Sequence, residues 1–175
     1  MATTKIQAAP QTAKRSFSAG SVISAIGRWI VRNRIYLIAF AIPAVLTYLA
    51  YALFGLYPFG EESVLCLDLN GQYVYYFEAL RDAFWGDGSI FYNWSRNLSG
   101  EFMGIISYYL ASPFTLIVML LPEKFMLSSL LIMQLCKLGA AGATFNYFLQ
   151  KRRGVQPYPS LLFSTMYAMM AYGVI

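Results

Sequence analysis

Acid–base chemistry in this chain of 175 residues would have to rest on carboxylates, because the sequence contains no histidine and only two cysteines. A Cys/His zinc site and a disulfide scaffold are excluded for the same reason. Asp68 is the most notable carboxylate, since it lies just before a segment with helical periodicity. There it can act as a general base towards a hydroxyl group, or it can cap the helix that follows. The residues alone leave both roles open.

A lysine inside a long apolar stretch is the second candidate. Lys137 lies near the middle of residues 125–150, which are long enough to cross a bilayer, and Gln134 precedes it by one turn. A charge at that depth costs about 3 kcal/mol and faces a partner or a cavity. Lys137 therefore either pairs with an acidic residue of another span, or contacts a lipid phosphate, or helps to position Asp68.

Aromatic and apolar side chains recur at helical spacing after Asp68. The pattern predicts an amphipathic helix over about residues 71–85 that lies flat in the headgroup region. The apolar face of this helix comprises Tyr73, Tyr76, Phe77, Leu80 and Phe84. On the same helix, the short spacing between Glu78 and Arg81 favours a solvated ion pair.

Charge and hydropathy indicate how these residues lie relative to a membrane. Hydrophobic residues make up 58% of the chain and charged residues only 12%, whereas soluble domains carry about 25% charged residues. Residues 1–34 are basic without any acid, residues 35–56 carry no charge, and residues 57–101 are predominantly acidic. Because basic flanks stay in the cytoplasm, the sequence predicts a cytoplasmic tail, a transmembrane helix and an outer loop in that order. The apolar run is too long for a typical signal peptide.

Three more apolar stretches follow the outer loop, at residues 102–122, 125–150 and 158–175, with a basic loop at 151–157. If all three stretches crossed the bilayer, the basic loop would lie outside, against the positive-inside rule. Because Ser112-Pro113 interrupts the first stretch, we expect residues 102–122 to form a re-entrant or juxtamembrane pair of short helices beside a buried cavity. A second transmembrane segment is the alternative. A cytoplasmic loop at 151–157 and the start of a further transmembrane helix at 158–175 complete the prediction.

The expected fold is therefore all-α, a polytopic transmembrane helical protein in the cell membrane with its N-terminus in the cytoplasm. The last apolar stretch ends without a polar stop, so we expect truncation after the first three or four membrane segments. The bilayer is the first expected partner. No nucleic-acid partner is expected, because the basic segment before the first span is most simply a topology anchor beside anionic lipid.

Short motifs occur in a fixed order along the chain. They are Tyr57-Pro58-Phe59-Gly60, Leu67-Asp68-Leu69-Asn70-Gly71-Gln72-Tyr73, Phe77-Glu78-Ala79-Leu80-Arg81-Asp82, Gly88-Ser89-Ile90-Phe91-Tyr92, Tyr108-Tyr109-Leu110-Ala111-Ser112-Pro113-Phe114 and Leu135-Cys136-Lys137-Leu138-Gly139-Ala140-Ala141-Gly142. This ordered series resembles the N-terminal part of the bacterial YfhO membrane proteins and covers roughly residues 35–175. One departure is Ser99-Gly100-Glu101-Phe102, where family members carry a glycine-rich run.

The resemblance implies a GT-C-like membrane glycosyltransferase. Such a protein moves a sugar from a polyprenyl-phosphate carrier to a cell-envelope polymer, such as lipoteichoic acid, on the outer membrane face. The implied partners are the lipid-linked sugar donor and a teichoic-acid-type acceptor, with a sugar-lipid synthase and a flippase as candidates. No covalently bound cofactor is expected, and the sequence identifies no metal ligands and leaves a divalent metal open. This fragment alone is expected to be inactive.

The resemblance also bears on the candidate site. GT-C enzymes carry an acidic residue in the first outer loop, and Asp68 occupies that place, which favours the role of general base. Gln72 and Tyr73 are candidates for orienting the sugar, although Tyr73 on the apolar face can simply pack. The remaining substrate-binding candidates are Arg96, Glu101 and Lys137. Arg96 and Glu101 lie next to residues 102–122 and could reach the cavity there.

Two other functions remain open. A transporter or flippase of lipid-linked saccharides would share broken helices and an intramembrane charge such as Lys137. A structural membrane subunit would need no chemistry. The acidic and aromatic outer loop favours the enzyme, because transport sites lie near the bilayer midplane.

Overall fold

A computed structural model describes residues 19–63, 65, 68–94 and 100–170. The chain divides into two units between Arg34 and Ile35. The helices and strands, in chain order, are α1 (Ala19–Leu53), α2 (Val74–Trp85), β1 (Tyr92–Asn93), β2 (Gly100–Glu101), α3 (Met103–Ile105), α4 (Thr115–Leu120), α5 (Met126–Arg153) and α6 (Pro157–Ala168). The π-helical turns Leu69–Tyr73 and Ile106–Leu110 precede α2 and follow α3, and the 3-10 turn Glu123–Phe125 precedes α5.

Two helices within the described residues are long and apolar enough to cross a membrane, at Val22–Leu53 and Glu123–Arg153. The predicted mostly helical fold with long apolar helices is thus confirmed. The first helix begins at Ala19, well before residue 35, where the uncharged run starts. The extension has a simple cause, since arginine is a good helix former and no proline interrupts the basic segment.

A close approach of α1 and α5 depends on a small residue. A methyl group added at Gly142 would collide with the backbone carbonyl of Ala39 and would lie 3.1 Å from the ring of Pro43. Ala39 is fully buried. Small residues at such contacts are typical of membrane helix pairs, because they let the two backbones pack directly against each other.

A buried polar contact joins α5 to α6. The side-chain amide of Asn146 donates to Ser160 Oγ at 3.1 Å and to Ser164 Oγ at 3.3 Å. All three side chains are fully buried. Phe145 and Tyr167 stack beside them with ring centroids 4.2 Å apart. These hydrogen bonds satisfy polar groups that are buried away from water, so α5 and α6 are held together by both packing and polar contacts.

Residues 102–122 form two short helical pieces, not one long helix. The first comprises α3 and the turn Ile106–Leu110, and the second is α4, with Ser112-Pro113 in the break between them. Their buried residues pack in one apolar cluster with α2 and α5. This cluster contains Phe77, Leu80, Phe102, Ile105, Leu110, Val118, Met119, Leu130 and Met133. Whether this segment re-enters the bilayer or crosses it stays a prediction.

The C-terminal end of α4 is held by side chains of α2. Arg81 Nη1 donates to the backbone oxygens of Val118 at 3.0 Å and Met119 at 3.2 Å, and it also contacts that of Leu121. Trp85 Nε1 donates to Met119 O at 3.0 Å. These carbonyls have no partner within their own short helix, so a cation that caps them satisfies both their hydrogen bonds and the helix dipole.

Two details of α2 differ from the sequence prediction. Arg81 is turned towards α4, and no ion pair joins it to Glu78 among the described residues. Phe84 is 59% exposed, unlike Phe77 and Leu80, which are buried. Phe84 lies in the last turn of α2, where the apolar cluster with α4 no longer reaches.

Candidate functional site

Asp68 lies immediately before the turn Leu69–Tyr73, which leads directly into α2. Its side chain is exposed and makes no capping hydrogen bond to that turn, so the helix-capping interpretation of Asp68 is wrong. Gln72 on the same turn is also exposed, whereas Tyr73 at its end is half-buried. Three of the candidate residues therefore lie within one short segment.

Four tyrosine rings lie together beside this segment, and we call Tyr73, Tyr76, Tyr108 and Tyr109 the tyrosine cluster. Tyr73 and Tyr109 meet edge to face with ring centroids 5.3 Å apart. The ring of Tyr109 also lies 5.6 Å from Tyr76 and 4.6 Å from Tyr108. Because the last two tyrosines follow α3, the cluster joins the segment after Asp68 to the first helical piece of residues 102–122.

The phenol of Tyr73 is electrostatically linked to Asp68. Burial raises the pKa of Tyr73, and the neighbouring Tyr109 and Asp68 raise it further. The negative charge of the carboxylate disfavours a second negative charge on the phenol. Tyr73 therefore keeps its proton at neutral pH, so an aromatic face and a hydroxyl donor accompany the carboxylate.

A cavity of about 320 Å³ lies beside α2, and we call it the acidic cavity. The carboxylate residues that line it are Glu78, Asp82 and Asp87. The aromatic residues that line it are Tyr75, Tyr76, Tyr92 and Trp94. Its described lining contains neither lysine nor arginine. Since Tyr76 also belongs to the tyrosine cluster, the cavity and the cluster share one wall.

The chain after α2 folds back to close this cavity. The backbone N–H groups of Gly86 and Gly88 both donate to Asp82 O at 3.0 Å. A methyl group at Gly88 would lie only 2.8 Å from the backbone of Asp82 and Ala83, so this close return requires glycine. The return places Asp87 and Ser89 in the same cavity lining as Glu78 and Asp82 of α2.

Like charges affect Glu78 in the cavity wall. Burial raises the pKa of its carboxyl group, and the nearby carboxylates of Glu123 and Asp82 raise it further. Glu123 belongs to the turn before α5 and is not one of the residues that line the cavity. The cavity thus concentrates negative charge in a partly desolvated place, where it is less screened than in open water.

The other predicted site residues are Glu101, Lys137 and Arg96. Glu101 lies in β2 opposite Tyr92 of β1, and its carboxylate accepts a hydrogen bond from the backbone N–H of Gly104 at the start of α3. Lys137 is exposed on α5, and no hydrogen bond or ion pair within the described part of the chain joins it to Asp68. Arg96 lies outside the described residues. No group of three or more His, Cys, Asp or Glu residues that could hold a metal ion occurs in the part of the chain that the structure describes.

Comparison with known proteins identifies the family. The family model for the bacterial membrane protein YfhO matches residues 39–175. The chain belongs to the YfhO family. No curated protein and no solved structure matches it significantly. The resemblance of the ordered motifs is therefore confirmed over almost the whole segment that carries them.

Membership of the YfhO family establishes that this is a bacterial membrane protein, and it agrees with the two candidate spans. The lipid bilayer is accordingly a partner of the YfhO chain. The family description names no activity, so the roles of individual residues rest on their geometry.

The acidic cavity of this YfhO chain was not predicted from the sequence. The spacing of Glu78 and Arg81 favoured an ion pair, and no prediction connected Asp82 with Asp87. The available signal was the spacing of Glu78 and Asp82 by one helical turn, followed by the two glycines that reverse the chain around Asp87. An aromatic sequence directly after this reversal, ending at Trp94, was the second sign.

Proposed function

We propose that this YfhO-family protein is a membrane glycosyltransferase of the GT-C type. It moves a sugar from a polyprenyl-phosphate carrier to a cell-envelope polymer, such as lipoteichoic acid, on the outer face of the membrane. The observation that carries the proposal is the exposed, uncapped carboxylate of Asp68 beside the tyrosine cluster. An exposed carboxylate next to aromatic faces and a phenol hydroxyl suits a sugar ring with a reacting hydroxyl.

The transfer follows from these groups. The oxygen of the acceptor hydroxyl forms a bond to the anomeric carbon of the sugar, and the bond from that carbon to the carrier phosphate breaks. Polyprenyl phosphate leaves with the electron pair, and the hydroxyl proton passes to Asp68 as general base. The side chain of Gln72 and the protonated phenol of Tyr73 orient the sugar. The aromatic cluster keeps water away from one side of it.

The charges assign the sides of the membrane in this proposal. The basic N-terminal tail stays in the cytoplasm, so the outer loop with Asp68 faces outward. Lys137 lies within the second candidate span, where it can neutralise the phosphate of the donor lipid. Glu101 fixes the start of α3 through Gly104, and Arg96 stays a substrate-binding candidate of the proposal. The donor brings its own leaving group, so the transfer needs no covalently bound cofactor.

The test uses Asp68→Asn in the complete protein, expressed in cells that lack the native copy. The carboxamide keeps the size of the side chain but cannot take the proton. We expect envelope-polymer glycosylation to be lost at normal protein abundance. Glu62→Gln is the matched control, because it removes another exposed carboxylate of the outer loop. Wild-type glycosylation with Asp68→Asn would refute the role of Asp68.

A flippase for lipid-linked saccharides is the second candidate, and the exposure of Lys137 on α5 favours it. A flippase needs Lys137 more than Asp68, whereas the transferase needs Asp68 for the chemical step. If Asp68→Asn still moves the lipid-linked sugar across the membrane but no longer transfers the sugar to the polymer, the transferase is supported. Loss of passage in Lys137→Gln together with normal passage and normal polymer glycosylation in Asp68→Asn supports the flippase.

A further inference from the structure

We propose that the acidic cavity binds an organic ammonium ion, that is, a ligand carrying a protonated or quaternary amine. This site is separate from Asp68 and does not depend on the proposed transfer reaction. The site is an open cavity of about 320 Å³ that is bordered by α2, the chain reversal at Asp87 and β1. Sites for small organic molecules begin at about 300 Å³.

Aromatic rings line the cavity on two sides. Tyr75 and Tyr76 come from α2, whereas Tyr92 and Trp94 come from the chain around β1. Tyr92 and Trp94 meet edge to face with ring centroids 4.7 Å apart. The faces of aromatic rings attract cations, and cages of such rings are the recurring solution for recognising alkylated ammonium groups.

The carboxylates make the described lining of the cavity negatively charged. Glu78 and Asp82 lie one turn apart on α2, and Asp87 closes the opposite wall. The like-charge repulsion between Glu78 and Asp82 is relieved when a cation occupies the space between the walls. A phosphate or another anion would add to that repulsion, so the donor phosphate of the proposed transferase does not belong here.

Size separates an organic cation from a metal ion. A divalent ion prefers carboxylate and carbonyl oxygens at about 2.0–2.6 Å and would leave most of the cavity unfilled. The described carboxylates do not form a group that could hold such an ion. An ammonium group with carbon substituents fills the space, places its charge near Glu78 and Asp82, and lays its apolar surface on Tyr92 and Trp94.

The amine can come from the headgroup of a membrane lipid or from a water-soluble molecule. The outer loop holds the cavity, so both sources reach it in the proposed orientation. The chemistry they share is the ammonium group, and the ammonium group is what the cavity recognises.

The test measures the binding of choline to the complete purified protein by titration calorimetry. Dimethylbutanol serves as the matched neutral ligand, because it replaces the quaternary nitrogen of choline with carbon at the same shape. We expect choline to bind at least tenfold more tightly than dimethylbutanol, and inorganic phosphate not to bind. Equal binding of the two isosteres, or no binding of choline, would overturn the proposal.

Variants assign the binding to this cavity. Glu78→Gln and Asp82→Asn combined remove two charges, and Trp94→Leu removes an aromatic face; each is expected to weaken choline binding at least tenfold. Glu62→Gln, elsewhere on the outer loop, is expected to leave it unchanged. A cooperative thermal unfolding transition with a midpoint at or above that of the wild type confirms that each variant is folded. Unchanged choline binding in both folded cavity variants would contradict the assignment.

The source of the amine is distinguished in lipid nanodiscs. One preparation contains phosphatidylglycerol alone, and the other contains phosphatidylethanolamine as well. If the lipid headgroup occupies the cavity, choline binds more weakly in the second preparation because it must displace the lipid amine. Equal and tight choline binding in both preparations supports a water-soluble amine in the same site.

Discussion

Tyr73 and Tyr109 meet edge to face with their ring centroids 5.3 Å apart. The contact joins the short segment after Asp68 to the first helical piece of residues 102–122. Edge-to-face pairs contribute about 0.5–1.5 kcal/mol beyond the burial of their area. The surroundings of Asp68 are thus built from two parts of the chain that are far apart in the sequence.

Removing the ring of Tyr109 should disturb this arrangement. Tyr109 contacts three other rings of the tyrosine cluster, so Tyr109→Ala is expected to lower the rate of sugar transfer at least tenfold. Tyr109→Phe keeps the ring and should retain most of the rate. The control is Tyr108→Ala, because Tyr108 is 82% exposed. An equal loss in all three variants would contradict a positioning role for the Tyr109 ring.

The cap of α4 predicts a stability effect at Arg81. Arg81→Leu keeps much of the apolar stem but leaves the carbonyls of Val118, Met119 and Leu121 without their cationic donor. Hydrogen bonds to charged groups contribute about 1.5–3 kcal/mol, so a loss of about 2 kcal/mol is expected. Trp85→Phe removes one neutral hydrogen bond and should cost about 1 kcal/mol. Thermal unfolding in detergent measures both, and a smaller loss for Arg81→Leu than for Trp85→Phe would argue against the cap.

Two glycine-to-alanine changes should act in opposite directions. Gly142→Ala forces a methyl group against the backbone of Ala39, and overpacking of this kind costs about 1–3 kcal/mol. Gly27→Ala meets nothing within 4 Å. It should be neutral or stabilise α1 by up to about 1 kcal/mol, because alanine is the better helix former. Unfolding midpoints of the two variants test the difference. Equal midpoints would show that Gly142 does not limit the approach of α1 and α5.

The pH dependence of stability should change at Glu78. Burial, with Glu123 and Asp82 nearby, raises the pKa of this carboxyl above its ordinary value of 4.5. Because the folded pKa is raised, the contribution of Glu78 is most favourable below 4.5 and is lost as the pH rises through the folded pKa. Glu78→Gln should therefore stabilise the protein at neutral pH and have less effect in acid.

The measurement is the thermal unfolding midpoint of the wild type and of Glu78→Gln at a series of pH values from below 4.5 to neutral. Glu62→Gln is the matched variant, since it removes an exposed glutamate of the same loop. A loss of stability in Glu78→Gln at neutral pH would contradict the like-charge environment.

The sequence was sufficient for the parts of the fold that depend on local pattern. The uncharged run around Pro43 and the long apolar stretch around Lys137 predicted the two long helices, and Ser112-Pro113 predicted the break in residues 102–122. The order of motifs was enough to recognise the family. The GT-C-like arrangement of further spans stays a prediction.

Contacts between distant parts of the chain could not be predicted from one sequence. Arg81 has Glu78 as an acidic neighbour on its own helix. Its hydrogen-bond partners, however, are backbone carbonyls at the end of α4, which lie 37 and 38 residues further along the chain. Similarly, the sequence around Asp68 allowed a helix cap, because a cap depends only on neighbouring residues. The tyrosine cluster could not be predicted, because it depends on the contact of Tyr73 with the distant Tyr109. The acidic cavity exists only because the chain reverses at Gly88.

The central claim is that Asp68 takes the proton of the acceptor hydroxyl, and the most direct measurement is the rate of sugar transfer by purified complete protein in lipid vesicles. A polyprenyl-phosphate-linked sugar is the donor, and Asp68→Asn is compared with wild type and Glu62→Gln. The account predicts a loss of about 10²–10⁴-fold for Asp68→Asn, the range typical of general-base catalysis, and an unchanged rate for Glu62→Gln. A rate for Asp68→Asn close to that of the wild type would contradict it.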